Sequence, residues 1–423
     1  MESKRVDYLE KLLSHRWNGL VKVITGVRRC GKSYLLFNLF KARLLSEGVD
    51  PDDIIEIKLE EIGSISLRNP ITLHDYLRSR TSDGRRRYVF IDEIQMIPKV
   101  KNPYMEGGDD ITFYETLNGL LNTGYLDLYV TGSNSRMLSS DVLTQFRDRG
   151  DEIRIHPLSF SEYWSTVGGD RAQAYSDYLT FGGMPRLLSI DSDREKAEYL
   201  KGLFTETYLR DIMERHRIDY PEVLEGIVDF ISSNIGSLTN PKQIASQFKE
   251  VSEGTVRTYI DYLKDAFLFS EAHRFDVKGK RYFSYPNKYY CEDLGLRNAR
   301  LNFRQQERTH LMENAIYNEL RIRGYSVDVG VVTINAKDPE GRSVRIPKEI
   351  DFVANRYEEK VYIQSAFSIP SDEKMHSETD QFRYTGDSFR KIVVREDVGK
   401  RWFDEKGVLH INIVDFMLDK ELI

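Results

Sequence analysis

The sequence predicts an α/β protein whose core is a parallel sheet that ends in a phosphate-binding loop. A strand-like run, "GLVKVITG", leads into the GxxxxGK[ST] loop "GVRRCGKS", and a helical stretch follows from Lys32 to about Leu45. A second apolar run, "YVFI", ends in Asp92 and Glu93. Continuous apolarity is typical of parallel strands covered on both faces, and strands that alternate with helices indicate a parallel sheet. "DIIEIKLEE" and "DLYVTG" predict two more of its strands.

Length and composition indicate a water-soluble chain of several domains. At 423 residues the chain exceeds one ordinary domain, so about two to four folding units are expected. A net charge of −6 gives no overall basic footprint for nucleic acid. Two cysteines cannot form a disulfide framework, and neither a signal-peptide core nor an apolar run of about 18 residues occurs. We expect a cytoplasmic protein that does not enter a membrane.

The loop at residues 26–33 is expected to hold the phosphates of ATP or ADP. Its backbone amides would surround the β-phosphate, Lys32 would reach the β- and γ-phosphates, and the Ser33 hydroxyl would ligate Mg²⁺. A chance glycine-lysine loop is the alternative, but the strand-to-helix junction is the context that this motif requires. The expected nucleotide-binding residues are Gly26, Val27, Arg28, Arg29, Cys30, Gly31, Lys32, Ser33 and Tyr34.

Polar residues at the ends of two further strands complete the predicted catalytic set. Asp92 would hold the Mg²⁺ directly or through a water, and Glu93 would polarise the attacking water as a general base. Two carboxylates that only solvate a strand end are the alternative interpretation. A third strand ends in Ser133 and Asn134, and Asn134 is the preferred residue for sensing the γ-phosphate.

Five motifs, in this order, resemble a large archaeal and bacterial family of AAA+-type ATPases. They are "GVRRCGKS", "FIDEIQ", "VTGSNSRML", "RDRG…IHPLSFSEY" and "YLTFGGMPRLL", and the likeness spans nearly the whole chain. The resemblance implies a sensor role at Asn134. Family members carry an arginine-glycine pair before the "PLSF" motif, which implies that Arg149 is an arginine finger acting in trans within a homo-oligomer. Arg147 is the alternative finger, and a solvated basic loop is the alternative role for both.

The middle of the chain predicts a helical region followed by a winged helix. Residues 177–234 are expected to be helical with a turn at Gly182 and Gly183, and the resemblance implies a lid behind the nucleotide. Helix caps at Asn240 and Ser252 indicate a helix-turn-helix, and "FLFSEAHRF" with "KRYFSYP" would form the wing. DNA is one expected partner and a protein is the other, because the fold does not fix the choice. The candidate phosphate contacts are Arg257, Lys264, Lys278, Lys280 and Arg281.

The C-terminal part resembles the PD-(D/E)XK nuclease fold. Glu313 lies on a predicted helix, Asp351 on a later strand and Gln364 on the strand after that. In that fold carboxylates bind Mg²⁺ and a lysine on the second strand assists. Here Gln364 replaces the acid and Ala366 replaces the lysine, while Lys374 could reach in from a neighbouring turn. We expect an inactive nuclease-like domain that serves packing or binding.

These elements predict four domains. They are an AAA+-like P-loop ATPase core at 1–165, a helical lid at 166–235, a winged helix at 236–300 and an α/β nuclease-like domain at 301–423. The favoured function is hydrolysis of ATP with Mg²⁺ to drive or switch conformations of the C-terminal half. The alternatives are a nucleotide-gated binding protein with little turnover and an ATP-regulated, Mg²⁺-dependent DNA nuclease.

Overall fold

The chain folds into two compact units. The computed structural model describes residues 3–105, 107–132, 149–249, 251–304, 306–337 and 342–423. One unit comprises Ser3–Pro157 with Asp265–Phe267, and the other comprises Leu158–Lys264 with Leu268–Ile423. The four domain boundaries given above stay a prediction.

The first unit contains a five-stranded sheet in which every pairing is parallel, as the sequence predicts. Its order is β2-β3-β4-β1-β5. The strands are β1 (Val21–Thr25), β2 (Ile54–Lys58), β3 (Arg87–Asp92), β4 (Leu126–Thr131) and β5 (Gly150–Arg154). The α-helices are Val6–Ser14, Lys32–Tyr34, Lys41–Ser46, Pro70–Arg80 and Phe113–Leu121, with π-helical Leu35–Phe40 and 3-10 turns at Pro51–Asp53, Ile62–Arg68 and Ile94–Met96.

The central strands of this sheet are buried along their length, and one charge pair is buried with them. β1 and β4 are fully buried, although β1 carries Lys22. The Lys22 ammonium contacts the Asp127 carboxylate on β4, and Asp127 also accepts a hydrogen bond from the Tyr129 hydroxyl over 2.9 Å. A buried charge has to be paired to be tolerated. Burial lowers the pKa of Lys22, and Asp127 partly opposes that effect.

The second unit begins with helices that confirm the predicted helical region. Among all helices that the structure describes, none combines the length and apolarity needed to cross a bilayer. The helices of this unit are Phe160–Val167, Arg171–Phe181, Asp193–Gly202, Arg210–Arg215, Pro221–Ser233, Pro241–Ala245, Glu253–Asp265, Leu294–Arg300, Arg308–Ile322, Asp372–Thr379 and Ile413–Leu418, with π-helical Leu203–Leu209 and 3-10 turns at Pro185–Ser189 and Asp380–Tyr384.

The predicted pair of short helices is confirmed. Pro241–Ala245 and Glu253–Asp265 form where the helix-turn-helix pattern places them. The side chains of Asn240 and Ser252 accept backbone N–H groups of the following turns, which is the capping that the sequence indicates. The second helix buries one apolar face, formed by Val256, Tyr259, Ile260 and Leu263.

The predicted wing is correct only in part. β7 (Arg274–Asp276) and β8 (Arg281–Tyr282) form an antiparallel hairpin. However, β6 (Phe269–Ala272) pairs with β9 (Lys288–Cys291), so pairing along the whole of "FLFSEAHRF" with "KRYFSYP" is wrong. β7 also pairs in parallel with β10, which joins the hairpin to an eight-stranded sheet of order β14-β15-β13-β12-β11-β10-β7-β8. This pairing satisfies backbone groups of the long β10 that would otherwise lie at a sheet edge. The strands are β6 (Phe269–Ala272), β7 (Arg274–Asp276), β8 (Arg281–Tyr282), β9 (Lys288–Cys291), β10 (Ser326–Lys337), β11 (Ser343–Arg356), β12 (Glu359–Ala366), β13 (Arg390–Arg395), β14 (Trp402–Phe403) and β15 (Leu409–Asn412).

The glycine pair of "YLTFGGMPRLL" closes a helix against a buried carboxylate. Gly182 has a φ of 75° at the end of its helix, and a Cβ atom there would lie 2.2 Å from Asp293 Oδ1. The Gly183 N–H donates to Asp293 Oδ2 over 2.6 Å. The Gly183 carbonyl accepts from the Leu158 N–H over 2.7 Å. Two of the recognised motifs, "PLSF" and "FGGMP", are therefore joined at one point.

Asp293 also caps the helix Leu294–Arg300, because its Oδ1 accepts the Leu296 N–H over 3.0 Å. Burial raises the pKa of Asp293 to about 6, although its backbone hydrogen bonds oppose that shift. The folded state therefore holds a proton that the unfolded state loses above its ordinary pKa of 3.8. Stability from this group falls as pH rises from about 4 to 6 and stays lowered above that.

Replacing Asp293 with Asn should remove this pH dependence. The Asn side chain bears no charge at any pH. Its single amide oxygen keeps one of the two N–H bonds, from Gly183 or from Leu296, and the loss of the other is a cost that does not change with pH. We expect the free energy of unfolding of Asp293→Asn, relative to wild type, to improve by about 2.4 kcal/mol between pH 4 and pH 7. Urea unfolding followed by tryptophan fluorescence measures it, with the exposed Asp191→Asn as control. A difference that stays constant across this range would contradict the assignment.

Candidate nucleotide site

The loop that follows β1 requires glycine at both ends. Gly26 has a φ of 139° and Gly31 a φ of 101°, a backbone region that other residues rarely adopt. A Cβ atom on Gly26 would lie 2.1 Å from the Ile155 carbonyl oxygen. The loop backbone therefore packs directly against the segment that follows β5, where no side chain fits.

Lys32 is held within this loop. Its ammonium donates to the carbonyl oxygens of Gly26 over 3.0 Å and of Val27 over 3.1 Å, and the residue is only 4% exposed. The side chains of Val27 and Cys30 are fully buried, so these two residues can offer a ligand only backbone groups. A loop of backbone amides with one lysine is suited to phosphate.

Ser33 and Asp92 are brought together as the sequence predicts. Ser33 Oγ donates to Asp92 Oδ1 over 2.8 Å. The hydroxyl of Thr131 contacts the same carboxylate oxygen. Ile91 lies opposite Val130 in the parallel register, so Asp92 and Thr131 end neighbouring strands at the same edge of the sheet. Thr131 is a site residue that the motifs did not reveal, although aligning the strand ends would have found it.

Glu93 adopts a left-handed backbone conformation, with φ 54° and ψ 51°. A residue other than glycine in this region carries strain of about 1–3 kcal/mol, and such residues cluster at functional sites. The Glu93 N–H donates to Thr131 Oγ1 over 3.0 Å, and its carboxylate contacts the side-chain amide of Gln95. Thr131 thus holds both the carboxylate of Asp92 and the backbone of Glu93.

Arg5 is a second residue that the sequence did not reveal. Its Nη2 donates to the carbonyl oxygens of Cys30 over 2.7 Å and His156 over 2.9 Å, and the residue is 5% exposed. The His156 N–H in turn donates to the Tyr8 hydroxyl over 3.2 Å. Arg5 therefore ties the phosphate loop to the "IHPLSF" segment. No local pattern signals this contact, because Arg5 lies far from both partners along the chain.

The remaining loop side chains are more accessible than Val27 and Cys30. Arg28 is partly exposed and lies 3.9 Å from Glu60, and Arg29 is exposed with a φ of 67°. Tyr34 is half-buried in the first turn of the helix. The double arginine of the motif thus adds positive charge around the loop, where a nucleotide would bring negative charge.

Arg149 lies beside the amino end of β1, whereas the loop follows the carboxyl end of the same strand. Its carbonyl accepts the Val21 N–H over 2.8 Å, and its guanidinium donates to Asn122 Oδ1 over 2.7 Å. From Val21 to Thr25, β1 covers roughly 13 Å before the loop begins. A finger role for Arg149 would therefore concern a nucleotide bound by another subunit. The other candidates, Ser133, Asn134 and Arg147, lie outside the described residues.

The oxygen atoms beside the loop fit Mg²⁺. This cation prefers oxygen ligands at about 2.1 Å in an octahedron, in which neighbouring ligands lie about 3 Å apart. Ser33 Oγ and Asp92 Oδ1 are separated by 2.8 Å. The cation usually takes one or two ligands from the protein and the rest from phosphates and water. Ser33 and Asp92 are the residues that would hold it.

The residues predicted for a nuclease-like site also converge, within the second unit. The Asp351 N–H donates to Gln364 Oε1 over 3.4 Å, and Glu313 and Asp351 lie beside Lys288. Lys374 forms an ion pair on its own helix. Within the part of the chain that the structure describes, no group of three or more His, Cys, Asp or Glu side chains is arranged to hold a metal ion.

Comparison with known proteins defines the class. Residues 18–164 match the family described as an AAA domain, and residues 172–307 match a domain of unknown function (DUF8612). The five-stranded parallel sheet with its phosphate loop is the α/β fold of a P-loop NTPase. Residues 18–164 therefore form an AAA domain, and this match supports ATP binding.

The family follows from a relative that matches along the whole chain. A protein of Haemophilus influenzae is 31% identical over 426 residues, which covers 98% of each chain, and the present chain belongs to its family. A protein of Methanocaldococcus jannaschii is 27% identical over 336 residues, covering 76% of this chain and 70% of the relative. The Walker-type ATPase of Pyrococcus abyssi is similar over 70% of this chain and 94% of its own, with 16% identity and a TM-score of 0.45.

Replacing Gly26 with Ala should weaken nucleotide binding. The added methyl group would collide with the Ile155 carbonyl and displace the loop amides, which costs at least one hydrogen bond to a charged phosphate. We expect affinity for ATP to fall by about 10- to 100-fold. Titration with a fluorescent ATP analogue measures the change.

Gly119→Ala is the matched control for this substitution. Gly119 lies in the helix Phe113–Leu121, and a Cβ atom there meets nothing within 4 Å. Its affinity for the analogue should equal that of wild type. Equal affinity for Gly26→Ala would show that the loop backbone does not contact the phosphates.

Proposed function

We propose that the protein hydrolyses ATP with Mg²⁺ and uses the cycle to change the conformation of its C-terminal half. The observation that supports this most strongly is the linked set of Ser33, Asp92, Thr131 and Glu93. The two candidate metal ligands, Ser33 and Asp92, are bonded to each other directly, and the Thr131 hydroxyl links Asp92 to Glu93, the candidate general base. These groups lie at the edge where the phosphate loop begins, so a metal-bound phosphate and a base would meet there.

Each residue has a separate task in the proposed reaction. The loop amides and Lys32 bind the β- and γ-phosphates and offset their charge. Ser33 and Asp92 would hold Mg²⁺, which would neutralise charge on the phosphate oxygens. Glu93 orients a water against the γ-phosphate and accepts its proton at a carboxylate oxygen. Thr131 is a positioning residue, because it acts through Asp92 and Glu93.

The bond of Arg5 to His156 supports a route by which nucleotide state could leave the site. His156 lies two residues before Leu158, whose N–H is bonded to the Gly183 carbonyl. A shift of the loop at Cys30 would be carried by Arg5 to His156 and along the chain to Leu158.

The proposed winged helix favours a packing or protein-binding role over DNA. Helix Glu253–Asp265 carries two basic and three acidic side chains, a net charge of −1. Three of the five candidate phosphate contacts are in ion pairs. Arg257 pairs with Glu253 at 2.5 Å, Lys264 with Glu271 at 2.6 Å and Arg281 with Asp276 at 3.6 Å. Phosphates would have to compete with these carboxylates.

Replacing Glu93 with Gln should abolish turnover and leave ATP binding intact. The amide keeps the size of the side chain but cannot accept the proton of the water. We expect a loss of roughly 10²- to 10⁴-fold in steady-state phosphate release, with unchanged affinity for ATP. Release should be measured with and without double-stranded DNA, since stimulation by DNA would argue against the packing role of the winged helix.

Glu61→Gln is the control for the loss of a carboxylate. Glu61 is exposed just beyond β2, another strand of the same sheet. Its turnover should match that of wild type. Full activity of Glu93→Gln would refute the base assignment, and inactivity of wild type together with both variants would refute hydrolysis itself.

A role for Arg149 in trans predicts that two inactive variants complement each other. Arg149→Ala keeps its own Glu93, and Glu93→Gln keeps its own Arg149, so a mixed oligomer contains complete sites. We expect the mixture to recover up to about a quarter of wild-type turnover, as random pairing of subunits gives one complete site in four. Asn122→Ala controls for loss of the Arg149 contact. A mixture no more active than its parts would exclude the role.

A further inference from the structure

A lysine lies where the nuclease-like fold would place a metal ion. Lys288 extends from β9, and its Nζ is 2.9 Å from Glu313 Oε1, 2.8 Å from Glu349 Oε1 and 3.9 Å from Asp351 Oδ1. The three carboxylates come from a helix and from β11. Lys288 itself is only 4% exposed. One ammonium therefore lies among three acids that the C-terminal sheet and its helix bring together.

The carboxylates are spaced for an ammonium and not for Mg²⁺. Distances of 2.8 and 2.9 Å are those of charge-assisted N–H···O bonds. Mg²⁺ holds its oxygen ligands at 2.0–2.1 Å, so the same carboxylates would have to move inward by about 0.8 Å. The donors of Lys288 thus fix the cluster in a form that is too wide for the metal.

Two further donors also contact the carboxylates of the cluster. Tyr290 OH donates to Glu313 Oε1 over 2.7 Å, and the Ser365 N–H donates to Asp351 Oδ2 over 2.8 Å. Burial alone would lower the pKa of Lys288, but the carboxylates of Glu313, Asp351 and Glu349 outweigh it and the pKa is raised. Lys288 is therefore charged at any physiological pH.

The second strand of the nuclease-like pattern cannot restore a metal site. The Gln364 amide oxygen accepts from Gln381 Nε2 over 3.0 Å and from the Asp351 N–H over 3.4 Å, and it carries no charge. Ala366 is 4% exposed and has no donor or acceptor in its side chain. The residues present do not fit a divalent cation, and the alternative of a Mg²⁺-dependent nuclease lacks its metal site.

We propose that the Lys288 ammonium is the permanent cation of this carboxylate cluster and excludes divalent metal from it. The lysine belongs to the region matched at 172–307, whereas all three acids lie beyond it. The cluster is then an electrostatic joint that fastens β9 to the C-terminal sheet. Its hold depends on neither metal supply nor nucleotide.

The test removes the ammonium from the full chain without changing the length of the side chain much. Lys288→Met leaves three acids without their cation, so we expect the thermal midpoint of unfolding to fall by about 5–15 °C. We also expect it to bind one Mn²⁺ more than wild type, measured by electron paramagnetic resonance without nucleotide, and to recover part of the lost midpoint when Mn²⁺ is added. Lys288→Arg keeps the charge and should gain no Mn²⁺ site.

Two comparisons make the outcome decisive. Lys288→Met with Asp351→Asn should lose the additional Mn²⁺, because one of the three acids is neutralised. Wild type and Asp351→Asn alone should bind the same number of Mn²⁺ ions, a comparison that does not depend on the folding of Lys288→Met. A wild-type Mn²⁺ ion lost in Asp351→Asn would overturn the proposal, as would a folded Lys288→Met that gains no ion and keeps the wild-type midpoint.

Discussion

The hydrogen bond between Ser33 and Asp92 is the contact on which the nucleotide site depends. It joins the helix after the phosphate loop to the end of β3 over 2.8 Å, so the lysine end and the carboxylate end of the site keep a fixed separation. The bond exists because β1 and β3 are parallel members of one sheet, although β4 lies between them. The carboxyl ends of parallel strands lie on the same side of a sheet, so the phosphate loop after β1 and the residues Asp92 and Glu93 at the end of β3 meet there.

Thr131, at the end of the intervening strand β4, links this Ser33–Asp92 contact to Glu93. A single hydroxyl touches the Asp92 carboxylate and accepts the Glu93 N–H, so β4 is a structural bridge as well as a spacer. The left-handed backbone of Glu93 is strained, and the bond from its own N–H holds it in place. The backbone of Glu93 is therefore already held in place by the Thr131 hydroxyl before a nucleotide binds. This arrangement is the structural basis for treating Glu93 as the proton acceptor.

The sequence predicted features whose signals are contiguous and missed contacts whose partners are distant. The loop at 26–33, the strand ending in Asp92 and the paired short helices each occupy one stretch of chain, so spacing alone reveals them. Arg5 meets the loop 25 residues away and the His156 carbonyl 151 residues away. The two glycines of "FGGMP" are needed because the Asp293 carboxylate packs against them, and Asp293 lies 110 residues downstream of Gly183. The predicted wing is wrong in part for a different reason, because β6 pairs with β9, which begins at Lys288 just after the stretch assigned to the wing.

In both units, a buried lysine ammonium neutralises buried carboxylates. Lys22 neutralises Asp127 inside the first sheet, and Lys288 lies among three acids in the second unit. A buried ammonium–carboxylate group adds little net stability, but removing one partner is costly, so such a group fixes how two strands are joined. A metal in the second cluster would exchange with solution and make that joint depend on ion supply. A lysine cannot exchange, so the joint between β9 and the C-terminal sheet does not depend on the supply of an ion.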